Sequence, residues 1–179
     1  MAGQTIEALA LLRAQRHSFL NHLQVISGFL QLGKPERALD YLKEVQLELE
    51  NWGRIMRLKV PEVAFVSLCK LEKARMQEIA TNIDTSTNLA GFNLEEDVAC
   101  RITDAAWEAA LSLAGYGGTL KVSLKPSPEG YCWTFKVSPL KDEGACWASH
   151  IYSLEEMLAG TPGKYSWEPD AGELKVWLG

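Results

Sequence analysis

The sequence predicts an α+β protein, with an N-terminal helical hairpin over residues 1–60 and an α/β sandwich over residues 61–179. Three observations carry this. Apolar residues recur at steps of three and four through the first 58 positions, the period of a packed helix. Gly33-Lys34-Pro35 breaks that pattern once, with a glycine to stop one helix and a proline to start the next. From residue 120 onward the pattern changes to alternation of period two, the mark of strands with one buried face.

The first helix is expected over about residues 4–32. Leu12, Phe19, Leu23, Ile26 and Leu30 form a bundle seam, and Leu11, Val25 and Phe29 add a second apolar strip beside it. Arg13, His17, Asn21, Gln24 and Gly28 form the stripe roughly opposite the seam. The second helix runs to about residue 58, with Ala38, Leu42, Val45, Leu49, Trp52 and Met56 in heptad spacing. The short connection makes the two helices antiparallel neighbours. Their combined apolar surface exceeds what one hairpin covers, and a homodimer forming a four-helix bundle resolves that excess.

After Pro61 a helix is expected over 62–79 and a strand over Thr81 to Leu89. A further helix spans about 95–114 and opens on Glu95-Glu96-Asp97, acidic residues that suit a helix N-terminus. Gly115-Tyr116-Gly117-Gly118 turns the chain into a strand rather than a helix, so it is no phosphate cradle. Residues 120–124 and 131–137 alternate and form a hairpin around the loop Pro126 to Gly130. A short helix over 149–158 and strands at 165–167 and 173–177 complete the sandwich, a sheet with helices on one face.

The net charge of −5 gives no electrostatic footprint for nucleic acid. No run of about 18 apolar residues suggests a membrane span, and residues 1–7 do not have the layout of a signal peptide. A cytoplasmic protein is expected. Cys69, Cys100, Cys132 and Cys146 form no CxxC, and three histidines give no zinc-ligand spacing. They read as reduced, buried thiols.

The chemistry is concentrated in Arg16-His17-Ser18-Phe19-Leu20-Asn21-His22-Leu23. A histidine that carries a phosphoryl group needs an exposed ring nitrogen, cations for the phosphoryl oxygens and a rigid scaffold. Arg13 and Arg16 lie within one turn of His17, and arginine meets phosphoryl oxygens as a fork. Asn21 lies one turn on, in reach of the ring. Spacing alone leaves an ordinary surface histidine as the alternative for His17. His22, on a different face, and the isolated His150 read as ordinary surface histidines.

The run from Arg16 to Gly28, followed by Leu30-Gln31-Leu32-Gly33-Lys34, closely resembles the histidine box of the sporulation initiation phosphotransferase B family. It is also similar to the box of citrate- and fumarate-type sensor kinases. The resemblance covers about a fifth of the chain, and the later elements follow the same order. It implies a homodimer with a central four-helix bundle. It implies that His17 takes a phosphoryl group from the aspartate of one response-regulator receiver domain and passes it to another. Arg16 and Asn21 would act with His17, while Arg13, Ser18 and Gln24 would face the partner. It also implies that the C-terminal part is a degenerate kinase ATPase domain. No cofactor is expected on this chain, with Mg²⁺ held only by the partner regulator.

Two positions depart from the family pattern. Ser18 stands where the family has an acidic residue, which in kinases acts as a base on the histidine during attack on ATP. Transfer from an aspartyl phosphate asks less, because neutral imidazole is already nucleophilic. The asparagine-rich kinase box aligns with Arg101 to Ala109 and places Ala105 where an asparagine would hold magnesium. The adenine-binding Asp-x-Gly-x-Gly box is missing after Val137, and Asp142-Glu143-Gly144 supplies only a fragment of it. The expected function is a phosphorelay phosphotransferase. The alternatives are a non-catalytic regulator-binding dimer and an ATP-dependent sensor kinase.

Overall fold

The computed structural model of the chain describes residues 2–92, 94–139 and 146–178. It divides into two compact units, Met1–Glu50 and Asn51–Gly179.

The first unit is a helical hairpin. Helix α1 spans Ala2–Gln31, about 45 Å at 1.5 Å per residue. Helix α2 spans Pro35–Ile55. The turn between them closes α1 with two bonds: Lys34 N–H donates to Phe29 C=O at 2.9 Å and Gly33 N–H to Leu30 C=O at 3.0 Å. Gly33 has φ 66°, the left-handed conformation this cap requires and glycine adopts without strain. Pro35 then starts α2, where its missing N–H costs nothing.

Within the hairpin, the α1 face turned toward α2 is built around Ser18, His22, Ile26 and Phe29, none of them exposed. Of the expected seam only Ile26 lies on this face; Leu12, Phe19, Leu23 and Leu30 lie open instead, with Leu12 65% and Phe19 54% exposed. Leu42 and Leu49 of α2 are open as well. Among the described residues up to Glu50, only Ser18, Ala38 and Val45 are buried.

The second unit is the α+β sandwich expected from the sequence. Helix α3 (Pro61–Met76) leads into strand β1 (Ala80–Thr85), and helix α4 (Glu96–Ala114) crosses over to strand β2 (Thr119–Ser127). Strand β3 (Gly130–Ser138), helix α5 (Cys146–Leu158), strand β4 (Lys164–Glu168), a short 3₁₀ turn at Pro169–Ala171 and strand β5 (Glu173–Leu178) follow. The sheet order is β1-β2-β3-β5-β4. Strands β1 and β2 pair in parallel, as the helical crossover demands, and the remaining neighbours are antiparallel.

Trp107 of α4 anchors the core. Its ring meets Phe135 edge-on at 5.3 Å and Trp133 at 6.1 Å, and all three are fully buried. Such contacts add about 0.5–1.5 kcal/mol each beyond burial of the rings.

Helix α2 ends at Ile55 rather than about 58 and α5 begins at Cys146 rather than 149, and three further boundaries differ at turns. Helix α3 ends at Met76 rather than 79, because Glu78 takes φ 54° and turns the chain. Strand β1 ends at Thr85 rather than 89, and Leu89 sits in a turn at φ 61°. The loop around Pro126 is shorter than expected: Ser127 pairs with Gly130, so the turn is Pro128-Glu129. Pro126 is tolerated inside β2 because β1 has already ended, leaving the strand one neighbour there.

The exposed edge of β1 is closed by side chains from the end of α2. Asn51 donates its amide N–H to Thr81 C=O at 2.7 Å and accepts from Ile83 N–H at 2.8 Å. The Arg54 guanidinium donates to Ile83 C=O. Together they occupy the backbone groups that an edge strand otherwise offers to another chain.

Candidate functional site

His17 stands on the open surface of α1. Arg13, Arg16, Asn21 and Gln24 are also exposed. The α-helix places residues three and four apart on one face, so Arg13, His17 and Asn21 follow one another along it. Asn21 is bonded to the ring, with its amide nitrogen 3.2 Å from His17 Nδ1. The exposed ring therefore has one nitrogen, Nδ1, held by the protein.

The orientation of the Asn21 amide decides what His17 can do. With the amide N–H on Nδ1, the ring carries its proton on Nε2. With the amide turned by a half-rotation, Oδ1 accepts from Nδ1–H and Nε2 keeps its lone pair. The second arrangement leaves Nε2 with a lone pair able to act as a nucleophile, and the exposed site leaves room for that rotation.

Ser18, expected among partner-facing residues, takes a different place. It is 3% exposed and its hydroxyl lies 3.1 Å from His22 Nε2, inside the hairpin. Successive helix residues differ by about 100°, so a side chain beside His17 in sequence faces α2 when His17 faces out. Gln24 lines a shallow groove of about 400 Å³ along α1 with Leu20, Leu23, Ser27, Gly28 and Gln31. Gln24 thus continues the stripe that begins with Arg13 and His17.

Sequence reasoning missed the polar layer beside this site. His22 Nδ1 lies 2.9 Å from the Tyr41 hydroxyl, and its Nε2 lies 3.3 Å from the Glu48 carboxylate. The available signal was position: Ser18 and His22 share a face with Ile26 and Phe29, where a bundle seam is ordinarily apolar.

In the second unit, Ala105 is wholly buried in the apolar core and presents no oxygen. Its neighbours in the aligned box form an ion-pair cluster. Lys70 of α3 bonds Asp104 at 2.7 Å and Glu108 at 2.5 Å, and Lys73 bonds Glu108 at 2.6 Å. Burial pushes the Glu108 carboxyl up, but the two lysines outweigh it and hold it below the usual carboxylate range. A cleft of about 280 Å³ lies beside this cluster, lined by Cys100, Arg101, Asp104 and Met157. Burial, and then the carboxylates of Asp104, Asp97 and Glu62, push the Cys100 thiol up. The Gly115-Gly118 segment is a turn, as expected. Gly117 has φ 72°, and a Cβ on Gly118 would stand 2.4 Å from Ala114 C=O. The Asp142-Glu143-Gly144 fragment lies outside the described residues, and so do the side chains of Cys146 and His150.

Residues 1–58 match the family described as Sensor_kinase_SpoOB-type, alpha-helical domain. Over these residues the helical hairpin is similar to that alpha-helical domain. Among curated proteins, the chain is 41% identical over 80 residues to the sensor protein CitS of Halalkalibacterium halodurans, a match covering 44% of this chain and 15% of that protein. It is 34% identical over 61 residues to sporulation initiation phosphotransferase B of Bacillus subtilis, covering 34% of this chain and 32% of that one. The matches thus span a sixth to a third of these relatives' lengths. Relatives of the hairpin are transferases of the sensor-kinase and phosphotransferase kind. Among solved structures, the catalytic domain of histidine kinase ThkA is similar at 14% identity, over 65% of this chain and 88% of that chain, with TM-score 0.45. A bacterial phosphotransferase is similar at 16% identity, over 96% and 95% of the two chains, with TM-score 0.38. Among the described residues, no helix is long and apolar enough to cross a membrane.

Proposed function

We propose that this chain is a phosphoryl carrier in two-component signalling, taking the group from a response-regulator aspartate onto His17 and passing it to a second regulator. The observation that carries the reading is the exposed His17 ring with Asn21 on Nδ1. In the step, His17 Nε2 attacks the phosphorus of the aspartyl phosphate. The N–P bond forms, the P–O bond to the aspartate breaks, and the carboxylate leaves. The ring proton stays on Nδ1, where Asn21 Oδ1 accepts it. Arg13 and Arg16 meet the charge on the phosphoryl oxygens. The return step runs the same sequence backwards onto another aspartate. The chain needs no cofactor of its own in this scheme, and magnesium belongs to the regulator.

The functional unit is a homodimer, two hairpins forming a four-helix bundle. A hairpin that buries so few side chains and leaves Leu12, Phe19, Leu23 and Leu30 open gains little from its own packing. A second copy covers that seam and leaves the His17 stripe outside.

The sandwich serves as a degenerate ATPase-like domain rather than a phosphoryl source. Ala105 offers no magnesium ligand, and Lys70 and Lys73 already neutralise the carboxylates beside it. One observation favours a second reading, a regulator-binding dimer without phosphoryl transfer: position 18, where the family has an acidic residue, holds a serine that faces into the hairpin.

The test is label transfer from a phosphorylated receiver domain to wild type and His17→Gln, beside an ATP-only arm. The carrier reading expects label on wild type from the receiver and none on His17→Gln. Label arriving from ATP would make the protein a kinase. No label from a panel of receivers would leave the binding reading.

A further inference from the structure

The polar layer inside the hairpin has no part in the reaction described above. His22 sits at its centre, 18% exposed at the side chain, with both ring nitrogens engaged. Tyr41 Oη lies 2.9 Å from Nδ1; Ser18 Oγ and Glu48 Oε2 lie 3.1 and 3.3 Å from Nε2. The rings of His22 and Tyr41 approach to 5.7 Å, and Phe29 packs edge-on against Tyr41 at 6.3 Å.

The donors and acceptors match. Burial, then the carboxylates of Glu44 and Glu48, push the Tyr41 phenol up, so it remains an O–H donor. It donates to His22 Nδ1, and the Nε2–H of the ring donates toward Glu48. The Ser18 hydroxyl completes the set at the same nitrogen.

These residues fill positions that face the opposite helix. Ser18 and His22 are one turn apart on α1, and Tyr41 and Glu48 flank the buried Val45 on α2. Apolar side chains at such sites accept several registers with similar energy. A polar set favours one, because a slip leaves the buried Ser18 hydroxyl and the half-buried His22, Tyr41 and Glu48 groups without their partners. The layer therefore fixes both the sliding and the rotation of α1 on α2. Rotation is what matters for His17, which is the immediate neighbour of Ser18 and takes its direction from it.

We propose that His22, held by Tyr41 and Glu48, is a positioning residue for His17, locking α1 in the one rotation that turns the His17 ring to the open face. This deepens the carrier reading and rests on it for its functional consequence. The energetic signature separates it from a merely stabilising contact. A leucine at position 22 packs well in a helical seam, so it preserves stability while releasing the register.

The experiment uses the full chain with His22→Leu, His22→Gln and Tyr41→Phe. Three quantities are measured: the thermal midpoint, the rate of label acceptance from a phosphorylated receiver, and the rate at which diethyl pyrocarbonate acylates His17, located by mass spectrometry. His22→Leu is expected to keep the wild-type midpoint or exceed it, yet accept label about tenfold more slowly and show an altered His17 acylation rate. His22→Gln, whose amide can accept from Tyr41 and donate to Glu48, is expected to recover most of both rates. Tyr41→Phe keeps the ring, loses only the hydroxyl and decides the matter if His22→Leu fails to fold. Wild-type transfer together with wild-type His17 acylation in His22→Leu, or in Tyr41→Phe where that variant decides, overturns the proposal. If the wild-type protein takes no label, the carrier reading fails while the acylation comparison still decides whether His22 positions His17.

Discussion

A single hydrogen bond distinguishes His17 from an ordinary surface histidine. Asn21 reaches Nδ1 across one helical turn, its amide nitrogen 3.2 Å away; with the amide turned, as the proposed carrier role requires, it would hold the tautomer that leaves Nε2 nucleophilic. Asn21→Ala removes that control without touching the fold, since the residue is exposed. Label acceptance from a phosphorylated receiver should fall about 10–100-fold, with the thermal midpoint unchanged. A second residue-scale prediction concerns pH. Glu108 has a folded-state pKa below its unfolded value, so its stabilisation is present above the ordinary carboxylate range and is lost as pH falls through the folded value. The urea midpoint should drop on acidification below about pH 4.3. Glu108→Gln should start lower at neutral pH and lose less over the same acid range.

At the scale of elements, helix α1 presents three different faces on one cylinder. One face meets α2 through a layer of polar side chains, one lies open and apolar, and a third carries His17. This explains why its residues were only partly legible in the sequence. The period of three and four announced the helix, but apolar residues nearly all round did not say which strip α2 would take. The leucine-rich strip was the natural choice for the seam, and the structure puts Ser18 and His22 toward α2 instead. Hydrogen-bond partners from another helix are long-range information that a local pattern does not hold. In the sheet, strand alternation was readable, while the ends of α3 and β1 were not, because Glu78 and Leu89 take left-handed conformations that neither residue type signals. The clasp on β1 was invisible for the same reason, since Asn51 and Ile83 lie 32 positions apart. Asn51→Ala leaves the Ile83 N–H and Thr81 C=O without their partner. It should cost about 1–3 kcal/mol in urea denaturation, whereas exposed Gln46→Ala should cost close to nothing.

For the whole molecule, the decisive property is an apolar surface that the single chain leaves uncovered. Leu12, Phe19, Leu23, Leu30 and Leu49 are open, and the hairpin has little core of its own. The proposed homodimer would remove this surface from water. Leu23→Lys should shift the sedimentation-equilibrium mass from dimer toward monomer and lower helical content, whereas Arg13→Ala should do neither. The candidate site was legible as a constellation because it lies in one short segment, from Arg16 to Asn21, whose residues need only a helix to come together. The measurement that tests the central claim most directly is identification of the bond formed. After incubation with a phosphorylated receiver domain, the labelled chain is digested and the phosphoryl group mapped, with its stability followed in acid and in alkali. The account predicts an acid-labile, alkali-stable label on the peptide that carries His17. Label on any other residue, or an acid-stable ester, would contradict it.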